Sequence, residues 1–244
     1  MTRISDLLAK GPTWSFEFFP PKTPEGMTSF DRAVTELSAL EPAYVSITYG
    51  AGGSARDTTY DLVVRVNEEQ AFPAMPHLTC VGHTRAELVD LLESYQSQGV
   101  DNVLALAGDP PKDGSDPGGD FVYATELVAL AREVGDFSVG VAAFPEVHPR
   151  STDRATDRRF LAAKLEAADF GMTQFFWEAE HYRTMIEELG ALGCTTPILP
   201  GVMPFVSVAG ARRMSAMNNT EIPAWLQERM DEVDGDAEAT RRLG

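Results

Sequence analysis

Short apolar runs alternate with stretches of helical periodicity along the whole chain, and this alternation limits the fold more than any other feature. WSFEFF at 14–19 reads as a first strand, stopped by Pro20 and Pro21. Helical spacing follows over 28–40, carried by Phe30, Val34, Leu37 and Leu40. YVSITY at 44–49 predicts a second strand that runs into the glycine turn Gly50, Gly52 and Gly53, with a helix over 58–70. MPHLTC at 75–80 is a short third strand. Thr84 and Glu87 have capping-box spacing ahead of Leu88, Leu91 and Leu92, which predicts a helix start. NVLALAG at 102–108 is nearly all apolar, as in a strand covered on both faces. A polar surface loop at 109–120 leads to a helix near 121–133 and a fifth strand at 138–144. The pattern continues with a helix over 156–168, a strand at 172–176 and a helix over 180–189. A proline-flanked seventh strand at 196–201 and helices at 207–217 and 223–233 complete it.

Seven strand–helix units of similar spacing, with no linker and no sequence repeat, predict one domain over 1–244 with a mostly parallel sheet and outer helices. The expected class is α/β, a (β/α)8 TIM barrel, which 244 residues only just accommodate. An open doubly wound sheet is the competing arrangement, but the first strand lacks a GxGxxG turn and no P-loop lysine motif occurs. The eighth strand is expected to be absent from the chain, which would leave sheet edges open. Either roughly 40–50 further residues would supply it, on the dimensions of a barrel unit, or the terminal helices fill the gap.

Composition narrows the partners. Hydrophobic residues at 43% and charged residues at 23% exclude disorder as the main state. A net charge of −17 argues against nucleic acid and anionic membranes, which gain no counterion release from such a surface, while leaving room for a small anionic ligand. No apolar run approaches a bilayer span, and the first residues do not form a signal peptide. Cys80 and Cys194 make no disulfide scaffold, so a cytoplasmic setting is expected. Charge does not set the oligomeric state.

A few residues need a chemical explanation. Glu17 sits among four aromatic residues, where lost hydration would raise its pKa and suit it to acid catalysis; a solvent-facing or arginine-paired strand-end acid is the alternative. Asp109 follows the fourth apolar run, at the rim where barrel active sites collect, or is simply a turn former before Pro110. His77 and His148 stand at strand rims but lack compact metal spacing, and His83 and His181 add no ligand set, so no metal site is expected. Gln174, polar within MTQFF, needs a partner if buried, either backbone or the amide edge of a ligand. Lys164 is one of four lysines; a Schiff-base role competes with a solvated or phosphate-facing cation.

At these same residues the chain resembles the methylenetetrahydrofolate reductase family. The matching segments are FEFFPPKTPEG (16–26), SITYGAGG (46–53), PHLTC (76–80), AGDPP (107–111), FPEVHP (144–149), KLEAADFGMTQFF (164–176), ILPGVMP (198–204) and IPAWL (222–226). They are collinear and span nearly the whole chain. The resemblance implies a (β/α)8 barrel that reduces 5,10-methylenetetrahydrofolate to 5-methyltetrahydrofolate with NAD(P)H, ordinarily through bound FAD. It implies that Glu17 is the acid that helps open the imidazolidine ring and that Asp109 tunes charge near the pterin and flavin. Gln174 and Met214 are implied as folate contacts. Thr48, His77, Asp109, Tyr123, Ala124, Ala142, His148, Asp157 and Lys164 match the family's cofactor contacts.

Other positions depart from that pattern. Ala107 stands where an arginine is usual, Phe144 where a tyrosine is usual, and Phe160 and Ala163 where polar or basic contacts are usual. Charge-assisted contacts to phosphate contribute roughly 1.5–3 kcal/mol each, so their loss predicts weak or absent FAD. The expectation is direct hydride transfer from NADH, with NADPH not distinguished by the sequence. A conventional FAD-dependent reductase and a catalytically silent folate or nucleotide binder are the competing readings. Retention of Glu17, Asp109 and Gln174 counts against the silent one.

Overall fold

A computed structural model describes residues 2–49, 56–109, 115–116 and 118–244. Seven strands form one sheet in sequence order, and each register-resolved neighbouring pair is parallel. This strand order and pairing are those of the (β/α)8 class, with seven strands and no eighth among the described residues. The chain divides into two compact units, Met1–Val141 with Ala167–Phe170, and Ala142–Glu166 with Gly171–Gly244.

The first unit holds α1 (Ile4–Leu8), β1 (Ser15–Phe18), α2 (Pro24–Ser38), β2 (Tyr44–Ile47), α3 (Arg56–Glu69), β3 (Ala74–Thr79), α4 (Arg85–Ser97), β4 (Asn102–Leu106), α5 (Ala124–Val134) and most of β5 (Ser138–Ala143). Helix α2 starts at Pro24, earlier than the apolar spacing predicts, because Thr23 accepts the Gly26 N–H and Pro24 brings a preset φ to the first turn. The Thr84–Glu87 capping box forms as expected. In β1 successive side chains alternate: the Phe18 ring meets Phe30 of α2 edge-on at 5.1 Å, so Glu17 points to the opposite face. Farther along the sheet Leu104, Gly140 and Phe170 pack together, where the absence of a Cβ at Gly140 makes room for the Phe170 ring. The short helix α1, which apolar periodicity does not reveal, docks at the amino ends of β4 and β5. Ile4 N–H donates to Asn102 Oδ1 (2.7 Å) and Ser5 N–H to Ser138 Oγ (3.1 Å).

The second unit contains the end of β5, most of α6 (Arg154–Ala167) and of β6 (Phe170–Thr173), then α7 (Ala179–Ala191), β7 (Ile198–Leu199), α8 (Val208–Asn218), α9 (Ala224–Val233) and α10 (Ala237–Leu243). Strand β6 is displaced from the expected 172–176: it begins at Phe170 and ends at Thr173, so Gln174 lies just past the strand. Strand β7 keeps only two residues, hemmed in by Pro197 and Pro200. A separate core forms where Phe205, Val208, Ala211, Leu226 and Met230 pack with Trp177. Asp236 caps α10 by accepting from the Glu238 and Ala239 N–H groups. The glycine turn at 50–53 and part of the loop at 109–120 lie outside the described residues.

Candidate active site

In the first unit the carboxyl ends of β1, β2 and β3 bring Glu17, Thr48 and His77 to one region. Nε2 of His77 is 3.5 Å from Oε2 of Glu17, close enough for a charge contact but not aligned as a hydrogen bond. Burial drives the His77 imidazole from 6.5 down to about 4, so it is neutral at physiological pH. Glu17 keeps 45% of its side-chain exposure, yet the protein packed around its carboxyl raises its pKa above the ordinary carboxylate value by desolvation. Lost hydration raises the Glu17 carboxyl, the direction expected for an acid at this position. The flanking Phe16 and Phe18 project from the other face of the strand, and Trp14 and Phe19 are largely exposed.

Among the described residues, three polar atoms in this region are buried without a hydrogen-bond partner: Ser46 Oγ, Thr48 Oγ1 and His77 Nε2. Buried polar atoms are normally paired, so such a cluster on adjacent strands points to a polar ligand or water. The family resemblance implies Thr48 and His77 as contacts. It does not imply Ser46, which only the alternation of β2 back from Thr48 could signal.

Strand β4 ends at Leu106, and Ala107 and Gly108 lead from it to the exposed Asp109. Gly108 takes a φ of +92°, which turns the backbone just before the acid. Tyr123 is exposed at the start of α5, where its N–H and that of Val122 donate to Glu126 Oε2 (2.7 and 2.8 Å). Ala124 begins α5 and is buried.

In the second unit a buried ion cluster organises the loop after β5. The Arg158 guanidinium, 3% exposed, donates to Asp157 Oδ2 (2.6 Å), Glu188 Oε2 (2.8 Å) and the backbone carbonyls of Phe144, Pro145 and Glu146 (3.2, 2.7 and 2.8 Å). The other oxygen of Asp157 accepts from the His148 N–H (3.1 Å) and the Ser151 hydroxyl (2.7 Å). Asp157 is thus engaged inside the protein, holding the loop that carries His148. Nδ1 of His148 accepts the Arg150 N–H at 3.1 Å. Arg158 escapes a reading of the sequence because its neighbours look like an ordinary charged helix; its burial is a tertiary property.

Lys164, about two helical turns beyond Asp157 on α6, is half-buried, and desolvation lowers its pKa to about 8. Ala142 lies in β5, and Phe160 is 71% exposed on α6. Gln174 donates from Nε2 to Asn218 Oδ1, and its Oε1 accepts the Phe175 N–H (3.2 Å). Asn218 in turn donates to the Met214 carbonyl (2.9 Å), so the two expected folate contacts are linked through Asn218. Among the described residues no group of three metal-binding side chains occurs, and no helix is long and apolar enough to cross a membrane.

An α/β chain with an elevated acid at a strand's carboxyl end and unpaired polar groups beside it has the makings of a barrel enzyme. The family model for methylenetetrahydrofolate reductase matches residues 3–244, and the chain belongs to this family. It is 37% identical over 231 residues to 5,10-methylenetetrahydrofolate reductase of Escherichia coli, covering 94% of this chain and 77% of that protein. A relative from Oryza sativa, named as a probable methylenetetrahydrofolate reductase (NADH), is 36% identical over 99% of this chain and 43% of its own length. Among solved structures, a Clostridium thermocellum protein described as binding two copies of 5-methyl-5,6,7,8-tetrahydrofolic acid has a TM-score of 0.66 at 16% identity, covering 98% of this chain and 82% of that one. At that identity the likeness speaks for the fold alone.

Proposed function

We propose that this chain reduces 5,10-methylenetetrahydrofolate to 5-methyltetrahydrofolate, taking hydride directly from NADH, with Glu17 as the acid. The observation that carries the reading is the Glu17 carboxyl, raised by desolvation beside a neutral His77. Protonation by Glu17 lets the imidazolidine ring open to an iminium ion, and hydride then enters the exocyclic carbon. The protein contributes alignment and exclusion of water. Gln174, steadied by Asn218, offers an amide to the pterin without adding charge. Asp109 tunes the charge near the reacting ring, and Met214 borders the folate.

The residues present fit a tightly held FAD poorly. Ala107, Phe144, Phe160 and Ala163 offer no charged or polar side chain, and Asp157 is already engaged by Arg158, Ser151 and the His148 N–H. Thr48, His77, Tyr123, Ala142, His148 and Lys164 remain as contacts for the nicotinamide cofactor. The name of the rice relative, which specifies NADH, supports that cofactor, and the free Cys80 and Cys194 accord with a cytoplasmic setting.

The test is anaerobic NADH oxidation by flavin-stripped protein with the folate product identified. Purified protein is expected to lack flavin absorbance and to form 5-methyltetrahydrofolate only when both substrates are present. Stoichiometric, tightly held FAD would overturn the direct transfer and leave the conventional reductase. No turnover with either cofactor would leave a folate binder.

A further inference from the structure

Ser46 carries a hydroxyl that neither the proposed chemistry nor the chain's own hydrogen bonds use. The residue is 1% exposed and its Oγ has no partner. Ser46 is the direct register partner of Glu17 in the β1–β2 ladder. Register partners in a parallel pair project from the same face, so the Ser46 hydroxyl lies on the Glu17 side of the sheet. His77, two residues beyond Met75, which pairs with Ser46, approaches the acid from β3.

We propose that Ser46 is a positioning residue for Glu17: once bound substrate shields the carboxyl from water, the Ser46 hydroxyl donates to one carboxyl oxygen and leaves the other to deliver the proton. This rests on Glu17 being the acid. An orphaned hydroxyl whose register partner is a carboxyl is a donor held ready, and the half-exposed Glu17 side chain can turn to meet it without moving the strand. Among the described residues, the titratable groups that interact with Glu17 are His77 from β3 and Tyr44 from β2, whose phenol feels the Glu17 charge. His77 is neutral, so it does not supply the charged donor that would fix the acid.

The experiment compares Ser46→Ala, Ser46→Cys and Ser46→Thr with the parent protein, reading kcat, KM for the folate, and the pH dependence of kcat, which reports the substrate-bound state. Ser46→Ala is expected to lower kcat about tenfold with KM little changed, because orientation of a general acid is lost. A donor to the carboxylate favours its ionised form, so its removal should move the alkaline limb to higher pH by roughly half a unit to one unit. The near-isosteric Ser46→Cys, a weak donor, should behave like alanine, while Ser46→Thr should restore both readouts. Reduced thermal stability with kcat and the alkaline limb unchanged would overturn the proposal. Full activity in Glu17→Gln would instead overturn the acid itself, and the Ser46 role with it.

Discussion

His77 Nε2 and Glu17 Oε2 lie 3.5 Å apart, and burial drives both groups toward their neutral forms. A charged histidine would stabilise the Glu17 carboxylate and weaken it as an acid. Keeping the imidazole neutral removes that competition.

Replacing Glu17 with glutamine keeps the shape and the polarity but removes the proton. Turnover should fall by on the order of 10²-fold or more, the usual scale for a lost general acid. The folate dissociation constant should change much less. Equilibrium binding beside steady-state kinetics separates the two, and unchanged turnover would remove Glu17 from the acid role.

The neutral His77 also makes stability pH-dependent. Its folded pKa, about 4, lies below its ordinary 6.5, so the unfolded chain binds the proton more readily between those values. Stability therefore falls as pH drops from 6.5 toward 4. The loss is about 2 kcal/mol between roughly pH 7 and pH 5 for a shift of this size. Urea denaturation at both pH values should show a smaller acid loss in His77→Gln than in the parent. An equal loss in both proteins would show that other groups govern the acid limb.

The alternation of strands and helices and the Thr84 capping box are legible in the sequence because each depends on local pattern. The shift of β6 toward Phe170 is not, since Phe175 and Phe176 continue the apolar run beyond the last strand residue. The chain likewise does not announce that Asp157 is engaged by Arg158, because helical charges look alike whether buried or exposed. Ser46 is hidden for a related reason: a serine in a strand gains meaning only when its register partner is known to be Glu17.

Gly140 is required by close packing. A Cβ there would lie 2.5 and 2.6 Å from Phe170 ring carbons and 3.0 Å from Leu104 Cδ1. Both neighbours are buried, so Gly140→Ala should destabilise the protein by roughly 1–3 kcal/mol through overpacking. Chemical denaturation measures the loss, and pairing the change with Phe170→Leu should recover part of it. A parent-like midpoint for the single variant would mean that the ring moves aside freely.

Lys164, with its pKa lowered to about 8, should react with amine-directed acylating reagents at a lower pH than an ordinary lysine. As a proposed contact for the nicotinamide cofactor, it should be labelled more slowly as NADH is added. Peptide mass spectrometry after brief labelling near neutral pH reads both effects. Labelling of Lys164 that ignores saturating NADH would remove it from the cofactor contacts.

Arg158 joins two carboxylates to three consecutive backbone carbonyls, so its loss should strike stability and the β5 loop together. Arg158→Met leaves Asp157 and Glu188 without their shared cation, and removing one member of a buried ion cluster costs about 3–5 kcal/mol. Arg158→Lys should recover only a fraction, because a point-like ammonium cannot span the donors of a planar guanidinium. The loop from Phe144 to His148 should then loosen, raising KM for NADH in the lysine variant more than it lowers kcat. Urea midpoints and a KM series in NADH test the two halves separately. A lysine variant with parent stability and parent KM would show that the guanidinium geometry is not what holds this loop.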